Sequence, residues 1–559
     1  MKIRKILAFL TAVILTCSAS SCTLRGKGSS SEEADSKKSD SDDERDKDDD
    51  DNDTDDDISG RYQEDFNPIK DSDSLDKVRK DVRTLLDDLK TESDEDDIQD
   101  DIDALLADFD EVYEKYTELM IPYYLDIENE ALEDQADDAY EDICIAGELI
   151  TLAFCRGYNN DNYKDIFSDL IIDEEALETF SDPALTIERV EGYARVESWV
   201  TDNRIDRYQD IAYDDDMDED EKNLKCAEIL LEIFRDYDIE YFYKQYCRDY
   251  TPEEIMALTD VVRTEMIPVS DELLNAVLSM DNGMDILDDP VEFDNPFETI
   301  AEYAPKLSPE ISEAADKLLD DEEYSITDGD DSYNGSFTTY LPVSQKGVIY
   351  ITDNQDYYSL LTPVHEFGHY YAMGYDKVPT YLAASNLDIA EIQSQGFECI
   401  FTQFYDDIYG DQADAMLAAK CYDLVYAVIT GFGVGEFEYT LLKNIDRYSP
   451  EDVVELWEEI AEDSMPGIEL YMVNHMFESP GYYISYAVSA LGAFDILLDC
   501  FDDYDKALEK YEKIARISYN DRSYAFRSAV AEAGIENVLD EDYITDLANE
   551  LMEYALNIE

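Results

Sequence analysis

Two histidines stand four residues apart around a glutamate, at His365, Glu366 and His369, in a chain that has three histidines in all. On an α-helix, residues four apart share a face, so both imidazoles can reach one metal ion. Glu366 is placed to take a proton from a water molecule at that metal. Two surface histidines beside a surface glutamate are the alternative, and chance gives this spacing in roughly one such chain in a thousand. The H-E-x-x-H pattern therefore predicts a catalytic zinc site.

A catalytic zinc ion needs a third protein ligand and one open position. The apolar spacing of residues 387–401 predicts a second packed helix, on which Glu391 and Glu398 lie seven positions apart and share a face. A buried carboxylate is costly unless a cation pairs with it, and zinc would supply that cation. Because the chain has 139 acidic residues, the residues alone leave open whether Glu391 is the ligand.

Residues 365–369 and 391–398 together resemble a known family. They read HEFGH and EIQSQGFE, which is similar to the H-E-x-G-H and E-x-x-S-Q-x-x-E pattern of the thimet oligopeptidase and oligoendopeptidase F family of zinc peptidases. The resemblance implies one zinc ion per chain, with Glu391 as the third ligand. It also implies that Glu398 orients a zinc-bound histidine through a hydrogen bond.

A second segment, residues 475–487, carries an independent resemblance. It reads HMFESPGYYISYA and is similar to the family's late H-F-x-x-x-P-F-Y-x-x-x-Y-A segment, with two departures at its second and seventh residues. The resemblance implies that His475 and a following tyrosine stabilise the oxyanion as neutral hydrogen-bond donors. Tyr483 and Tyr486 are chosen for this role ahead of Tyr482.

The composition changes near Gly335, where Thr, Tyr, Val and Ile become frequent. Residues 336–341 and 348–352 predict two neighbouring strands, and the six residues between them predict a hairpin. The first strand resembles the family's active-site edge strand, which pairs with extended substrate through backbone hydrogen bonds. The resemblance implies that substrate binds along Gly335, Ser336, Phe337 and Thr338.

Helical patterns fill most of the remaining chain. Ile98, Ile102, Leu105 and Phe109 recur at spacings of three and four, typical of an amphipathic helix. We expect a helical N-terminal half at residues 61–330 and a catalytic half at residues 331–559. The predicted fold is a mainly α-helical zincin of the oligopeptidase type, with a small β-hairpin or edge sheet beside the zinc site and a deep substrate channel.

The N-terminus has the features of a targeting segment. A basic start is followed by an apolar run and then by small residues before Cys22, which resembles the lipobox of bacterial lipoproteins. The resemblance implies a signal peptide at residues 1–21 and a lipid on the sulfur of Cys22. Ordinary secretion with an unmodified Cys22 is the alternative.

Acidic residues dominate the segment after Cys22 and the chain as a whole. Residues 32–57 carry 16 acidic and 4 basic residues, so residues 22–60 are predicted to form a disordered, self-repelling tether. The formal net charge of −97 argues against binding to nucleic acid. The seven cysteines beyond Cys22 form no C-x-x-C pair, which argues against a thiolate zinc site and favours buried free thiols.

Together these features predict a zinc-dependent endopeptidase that acts on short unstructured peptides, with Glu366 as general base. We expect it to be lipid-anchored at the extracytoplasmic face of a cell membrane, and its oligomeric state is open. Three alternatives remain: a zinc carboxypeptidase on a similar scaffold, a non-catalytic surface peptide-binding protein, and a purely structural zinc site. Absence of a metal ligand or of the general base would favour the non-catalytic protein. A fourth protein ligand would favour the structural zinc site.

Overall fold

The computed structural model describes residues 74–558, except 92, 128, 171–175, 181, 183, 215–216, 236–238, 281–282, 289, 328 and 330–331. The predicted signal peptide, Cys22 and the predicted tether therefore lie outside the described residues.

Helices build nearly all of the described chain before the sheet. In chain order they are α1 (Ser74–Thr91), α2 (Glu95–Leu125), α3 (Glu130–Tyr158), α4 (Lys164–Phe167), α5 (Ala176–Phe180), α6 (Ile187–Ala212), α7 (Glu219–Phe234), α8 (Ile239–Gln245), α9 (Pro252–Ser279), α10 (Asp285–Asp288), α11 (Pro296–Tyr303) and α12 (Pro309–Asp320).

Ten further helices follow the sheet. They are α13 (Leu361–Met373), α14 (Leu387–Phe401), α15 (Tyr405–Tyr409), α16 (Ala413–Asn444), α17 (Pro450–Ser464), α18 (His475–Glu478), α19 (Tyr483–Asp502), α20 (Tyr504–Ala515), α21 (Phe526–Ala533) and α22 (Glu541–Asn557).

Local sequence signals fix the start of the long helix α9. The Thr251 hydroxyl accepts the Glu254 amide at 3.2 Å, and the Glu254 carboxylate accepts the Thr251 amide at 2.8 Å. Pro252 occupies the first helical position, where its missing N–H costs nothing. The same signals start α17, where Ser449 and Asp452 form the reciprocal pair.

Three strands form one sheet in the order β1-β3-β2: β1 (Tyr324–Thr327), β2 (Phe337–Leu341) and β3 (Lys346–Thr352). β2 and β3 are antiparallel, with Phe337 opposite Tyr350, so the predicted hairpin is confirmed. β1 pairs parallel with β3, and the sequence had predicted a helical pattern there. All four residues of β1 are buried. Their sequence, YSIT, alternates between apolar and polar residues, but four residues are the shortest run in which alternation can indicate a strand.

The largest hydrophobic core runs from Tyr208 to Ala555. It includes residues on both sides of position 330, such as Ile255 of α9 and Phe367 of α13. A second core joins α1, α2 and α3, and a third packs α2 on the sheet through Tyr124. The predicted division at 330/331 stays a prediction.

Two stretches, Leu387–Asn444 and Tyr483–Asp502, are long and apolar enough to span a membrane. In their most apolar windows, 89% and 78% of the residues are buried inside the protein. Burial in the core explains their apolar composition. The seven cysteines after residue 100 are free thiols, of which four are buried, as predicted, and three are half-buried.

Candidate active site

The close packing of α13 on α14 is made possible by one glycine in the H-E-x-G-H segment. A Cβ atom on Gly368 would lie 2.7 Å from the Ser394 Cα and 2.9 Å from the Gln393 carbonyl oxygen. Any side chain would therefore push the two helices apart. The glycine lets the histidines of α13 approach Glu391 of α14.

The three predicted metal ligands converge in the structure. One ligand atom from each of His365, His369 and Glu391 lies within 4.8 Å of the other two. Glu391 Oε2 is 3.5 Å from His365 Nε2 and 3.8 Å from His369 Nε2. Two imidazoles and a carboxylate are the donor set of catalytic zinc sites. Among the described residues, this is the one group of His, Cys, Asp or Glu side chains placed to hold a metal ion, and it has three members.

The electrostatics of the cluster favour a bound cation. Burial disfavours a charged His365, but hydrogen bonds to Glu391 and Glu398 outweigh it and raise the pKa of His365 to about 10. Burial lowers the pKa of His369 to about 4. The His369 Nε2 atom is buried and has no hydrogen-bond partner within the described residues. Because a metal ion would satisfy this nitrogen and balance the carboxylates, the residues fit zinc.

Glu398 lies behind His365, as the sequence predicted from the resemblance. Its Oε1 is 2.9 Å from His365 Nδ1, so the ring's second nitrogen can donate a proton and leave Nε2 facing Glu391. Its other oxygen accepts from the buried Lys420 ammonium of α16. Burial alone would raise the pKa of Glu398, but the Lys420 charge and the hydrogen bond with His365 lower it, which keeps Glu398 as an acceptor.

Glu366, the predicted general base, is completely buried on the same helix. The Thr338 hydroxyl of β2 lies 2.7 Å from Glu366 Oε2 and 3.0 Å from the Glu366 carbonyl oxygen. The edge strand therefore contacts the base directly and restricts the orientation of its carboxylate.

His475, the remaining histidine, is buried among the tyrosines that follow it. Its ring centroid lies 4.9 Å from that of Tyr482, 5.4 Å from Tyr483 and 6.0 Å from Tyr486. His475 Nδ1 is 2.8 Å from the Asn474 side-chain oxygen. We call residues 475–486 the tyrosine loop.

Tyr482 contacts one of the predicted metal ligands, Glu391, although the sequence analysis had preferred Tyr483 and Tyr486 for a role in the site. Its hydroxyl donates to Glu391 Oε1 at 2.7 Å. The Tyr483 hydroxyl is buried and makes no hydrogen bond within the described chain, and Tyr486 lines a pocket beside His365. Which tyrosine contacts an oxyanion stays a prediction.

Residues from distant parts of the sequence hold the tyrosine loop in place. The Arg248 guanidinium donates to the Gly481 carbonyl oxygen at 2.8 Å, and Glu438 accepts the Gly481 amide at 2.8 Å. Gly481 has a φ of 79°, which favours glycine. A Cβ there would also lie 2.8 Å from the Phe242 Cβ. The phenylalanine of the family pattern is therefore replaced by a glycine against which a phenylalanine from α8 packs.

The predicted substrate strand lies between α2 and α13. Gly335 and Ser336 are buried, and both hydrogen-bond with Thr352 at the start of the hairpin pairing. The Phe337 ring stacks on Tyr350, 5.1 Å between centroids, while Thr338 faces Glu366. Among the described residues no strand pairs with the outer edge of β2. Substrate binding at this edge stays a prediction.

Three site residues escaped the sequence analysis: Lys420, Arg248 and Asp423. Each lies in a segment without a motif, and each reaches the site through tertiary packing. A buried lysine or arginine is rare unless it is paired. The only signal in the sequence is the presence of two charged residues, Lys420 and Asp423, inside an apolar helical segment.

No protein-family profile matches the sequence, and no curated protein matches it. The structure, however, is similar to solved peptidase structures. One is described as an oligoendopeptidase F (15% identity, TM-score 0.71), covering 89% of this chain and 99% of the other. A PZ peptidase A with an inhibitor has 15% identity and a TM-score of 0.70, with the same coverages. A Bacillus anthracis protein described as an oligoendopeptidase F has 14% identity and a TM-score of 0.69, covering 90% and 99%. The predicted fold class is therefore confirmed: the chain has the helical fold of these peptidases.

Proposed function

We propose that this protein is a zinc-dependent endopeptidase that hydrolyses short unstructured peptides. The observation that carries the proposal is the convergence of His365, His369 and Glu391, with Glu366 between the two histidines on the same helix. The similarity of the fold to the oligoendopeptidase F structures supports it. The three-member donor set supports a catalytic site over a structural one, which would close with a fourth protein ligand.

The residues divide the work of peptide hydrolysis among them. When bound by His365, His369 and Glu391, zinc would polarise the scissile carbonyl and acidify the attacking water. Glu366 accepts the proton of that water and passes it to the leaving nitrogen, so that the C–N bond breaks and gives an amine and a carboxylic acid. Thr338 holds the Glu366 carboxylate in orientation through its hydroxyl.

The developing negative charge on the carbonyl oxygen needs donors on the side opposite Glu366. We assign this role to His475 and to the hydroxyls of Tyr483 and Tyr486, as predicted, and we add Tyr482 because its hydroxyl already lies at Glu391. Buried, neutral donors fixed before the reaction stabilise such a charge at little cost in reorganisation. Burial raises the pKa of Tyr482 well above its usual value, so its hydroxyl remains a donor at neutral pH.

The test is mass spectrometry of the products from a mixed peptide library, with the protein loaded with zinc and after treatment with a chelator. We expect internal cleavage of peptides of roughly 6 to 20 residues. Stably folded proteins should survive, because unfolding them costs ~5–15 kcal/mol. Sequential loss of single C-terminal residues would indicate the carboxypeptidase. Binding of peptides without any cleavage would indicate the non-catalytic peptide-binding protein.

We further propose that the enzyme is held at the extracytoplasmic face of a cell membrane by a lipid on Cys22. The lipobox-like residues before Cys22 support this location. The variant Cys22→Ala should move the protein from the membrane to the soluble fraction. A membrane-bound Cys22→Ala protein with a cleaved signal peptide would contradict the lipid as the anchor.

A further inference from the structure

A pocket opens beside His365. Four helices wall it: α13, α14, α16 and α19. Its volume is about 100 Å³, several times the ~10–15 Å³ that one water molecule needs on the same measure. His365 lines the pocket and is also one of the three proposed metal ligands. Because the scissile bond of a substrate would lie at the metal, the pocket adjoins that position.

Apolar side chains form much of the pocket wall. Leu361, Leu424, Ala427 and the rings of Tyr358 and Tyr486 are among the lining residues. Such a wall suits the methylene stem of a long side chain. It does not by itself distinguish leucine or methionine from lysine or arginine.

The charged groups of the pocket make that distinction. The lining residues include two carboxylates, Glu398 and Asp423, and one ammonium, Lys420. Lys420 is paired with Glu398, and its charge also acts on Asp423. His365, the fourth ionisable neighbour besides the tyrosines, faces Glu391 and Glu398. The pocket therefore holds two carboxyl groups against one ammonium. Burial raises the pKa of Asp423 to about 7, so a cation that reached Asp423 would favour its ionised form.

Asp423 is the carboxylate whose hydrogen bonding is incomplete. Asp423 as a whole is 7% exposed. Its Oδ1 accepts from the Tyr358 hydroxyl at 3.2 Å and from the Tyr357 hydroxyl at 3.4 Å. Its Oδ2 is buried and has no hydrogen-bond partner in the described part of the chain. An unpaired buried carboxylate oxygen is costly unless a donor reaches it.

We infer that this pocket is a specificity subsite for a basic side chain, lysine or arginine, next to the scissile bond, with Asp423 as the residue that selects it. The inference rests on the proposed peptidase function and specifies its substrate class. The apolar walls cover the stem, and the cationic head donates to Asp423 Oδ2.

The experiment compares three peptides that differ at one position beside the cleaved bond: lysine, norleucine and glutamate. Norleucine has nearly the shape of the lysine stem without its charge. We expect wild-type kcat/KM to be about 10-fold higher for lysine than for norleucine, and lowest for glutamate. In Asp423→Asn, which keeps the size of the side chain, the ratio of lysine to norleucine should fall to about 1.

The overall charge of −97 could also favour cationic peptides, so the control is Asp414→Asn. Asp414 is exposed on the same helix, and its substitution changes the net charge equally. We expect this variant to keep the wild-type ratio. The wild-type preference should also persist at high ionic strength, at which long-range attraction is screened.

The outcomes separate this inference from the proposed function. If no peptide is cut, including the norleucine peptide, the peptidase function itself is wrong. If norleucine peptides are cut but wild type does not prefer the lysine peptide over the norleucine peptide, the subsite is wrong. An Asp423→Asn variant that cuts with the wild-type preference would likewise overturn the assignment of Asp423.

Discussion

The two sides of the candidate site are built in different ways. On one side, α13 and α14 carry the proposed metal ligands and Glu366 within short helical segments, and Gly368 lets the two helices touch. On the other side, the tyrosine loop takes its shape from residues far away in the sequence: Arg248 in the turn between α8 and α9, Glu438 on α16 and Tyr208 on α6. We call the first side the ligand wall.

The difference teaches which part of a site depends on local structure. The ligand wall follows from helical periodicity, because residues four and seven apart share a face whatever packs around them. The tyrosine loop contains a four-residue helix and a glycine at positive φ, so it depends on contacts with distant residues. Changes in the ligand wall should therefore affect the metal, while changes around the loop should affect stability and turnover with the metal retained.

The largest effect is expected from Glu391→Ala in the ligand wall. The variant loses one of three metal ligands and the acceptor of the Tyr482 hydroxyl. Zinc content should fall well below one per chain and peptidase activity by more than about 10³-fold. Zinc analysis after gel filtration, with Glu398→Ala as the milder comparison, checks this. Full zinc occupancy in Glu391→Ala would move the third ligand elsewhere.

The next effect concerns the anchor of the tyrosine loop. Arg248 is fully buried, lies 3.4 Å from Asp388, and stacks between Tyr243 and Tyr246. Arg248→Met leaves the Asp388 charge buried without its partner, which should cost about 3–5 kcal/mol of unfolding free energy. Urea unfolding measures it.

The matched control is Lys443→Met, which removes an exposed ion pair with Glu253 and should leave the urea midpoint nearly unchanged. Equal destabilisation of the two variants would contradict the role of Arg248. At temperatures where Arg248→Met stays folded, it should bind zinc but turn over slowly.

A pH dependence follows from the other contact of Gly481. Burial raises the pKa of Glu438 to about 7, so the folded state holds this proton more tightly than the unfolded state. Ionising the buried Glu438 costs the folded state free energy. This cost is absent below pH 4.5, the pKa of the unfolded state, grows between pH 4.5 and 7, and is constant above pH 7. Glu438→Gln keeps an acceptor for the Gly481 amide and removes the titration.

Wild type should therefore lose more stability than Glu438→Gln between pH 5 and 7, by about 2 kcal/mol. Unfolding curves of both proteins at several pH values give the difference, in which the contributions of the other acidic residues cancel. Parallel stability profiles would show that Glu438 is ionised in the folded state at pH 5.

The smallest effect distinguishes the tyrosines. Tyr482→Phe removes one hydroxyl that donates to Glu391, so kcat should fall by about 10-fold while zinc stays bound. Tyr483→Phe, which removes a hydroxyl without a partner in the described chain, is the comparison. A larger loss of kcat in Tyr483→Phe than in Tyr482→Phe would contradict this and favour the original prediction, in which Tyr483 was preferred to Tyr482.

The sequence predicted the ligand wall and the hairpin because both obey short periods. His365, His369 and Glu391 needed only helical spacing and a family pattern to be placed together. β1 was missed because it is only four residues long and closely follows the helical pattern of α12. Lys420, Arg248 and Asp423 were missed because a buried charge is recognised by its partners, and those partners meet only in the folded chain.

The measurement that tests the central claim most directly is zinc content together with peptide turnover in Glu366→Gln. The substitution keeps the size of the side chain and leaves His365, His369 and Glu391 in place, so zinc should remain at about one per chain. Turnover should fall by at least ~10²-fold, because the proton acceptor is gone. A zinc-replete Glu366→Gln variant that cuts peptides at nearly the wild-type rate would contradict the account.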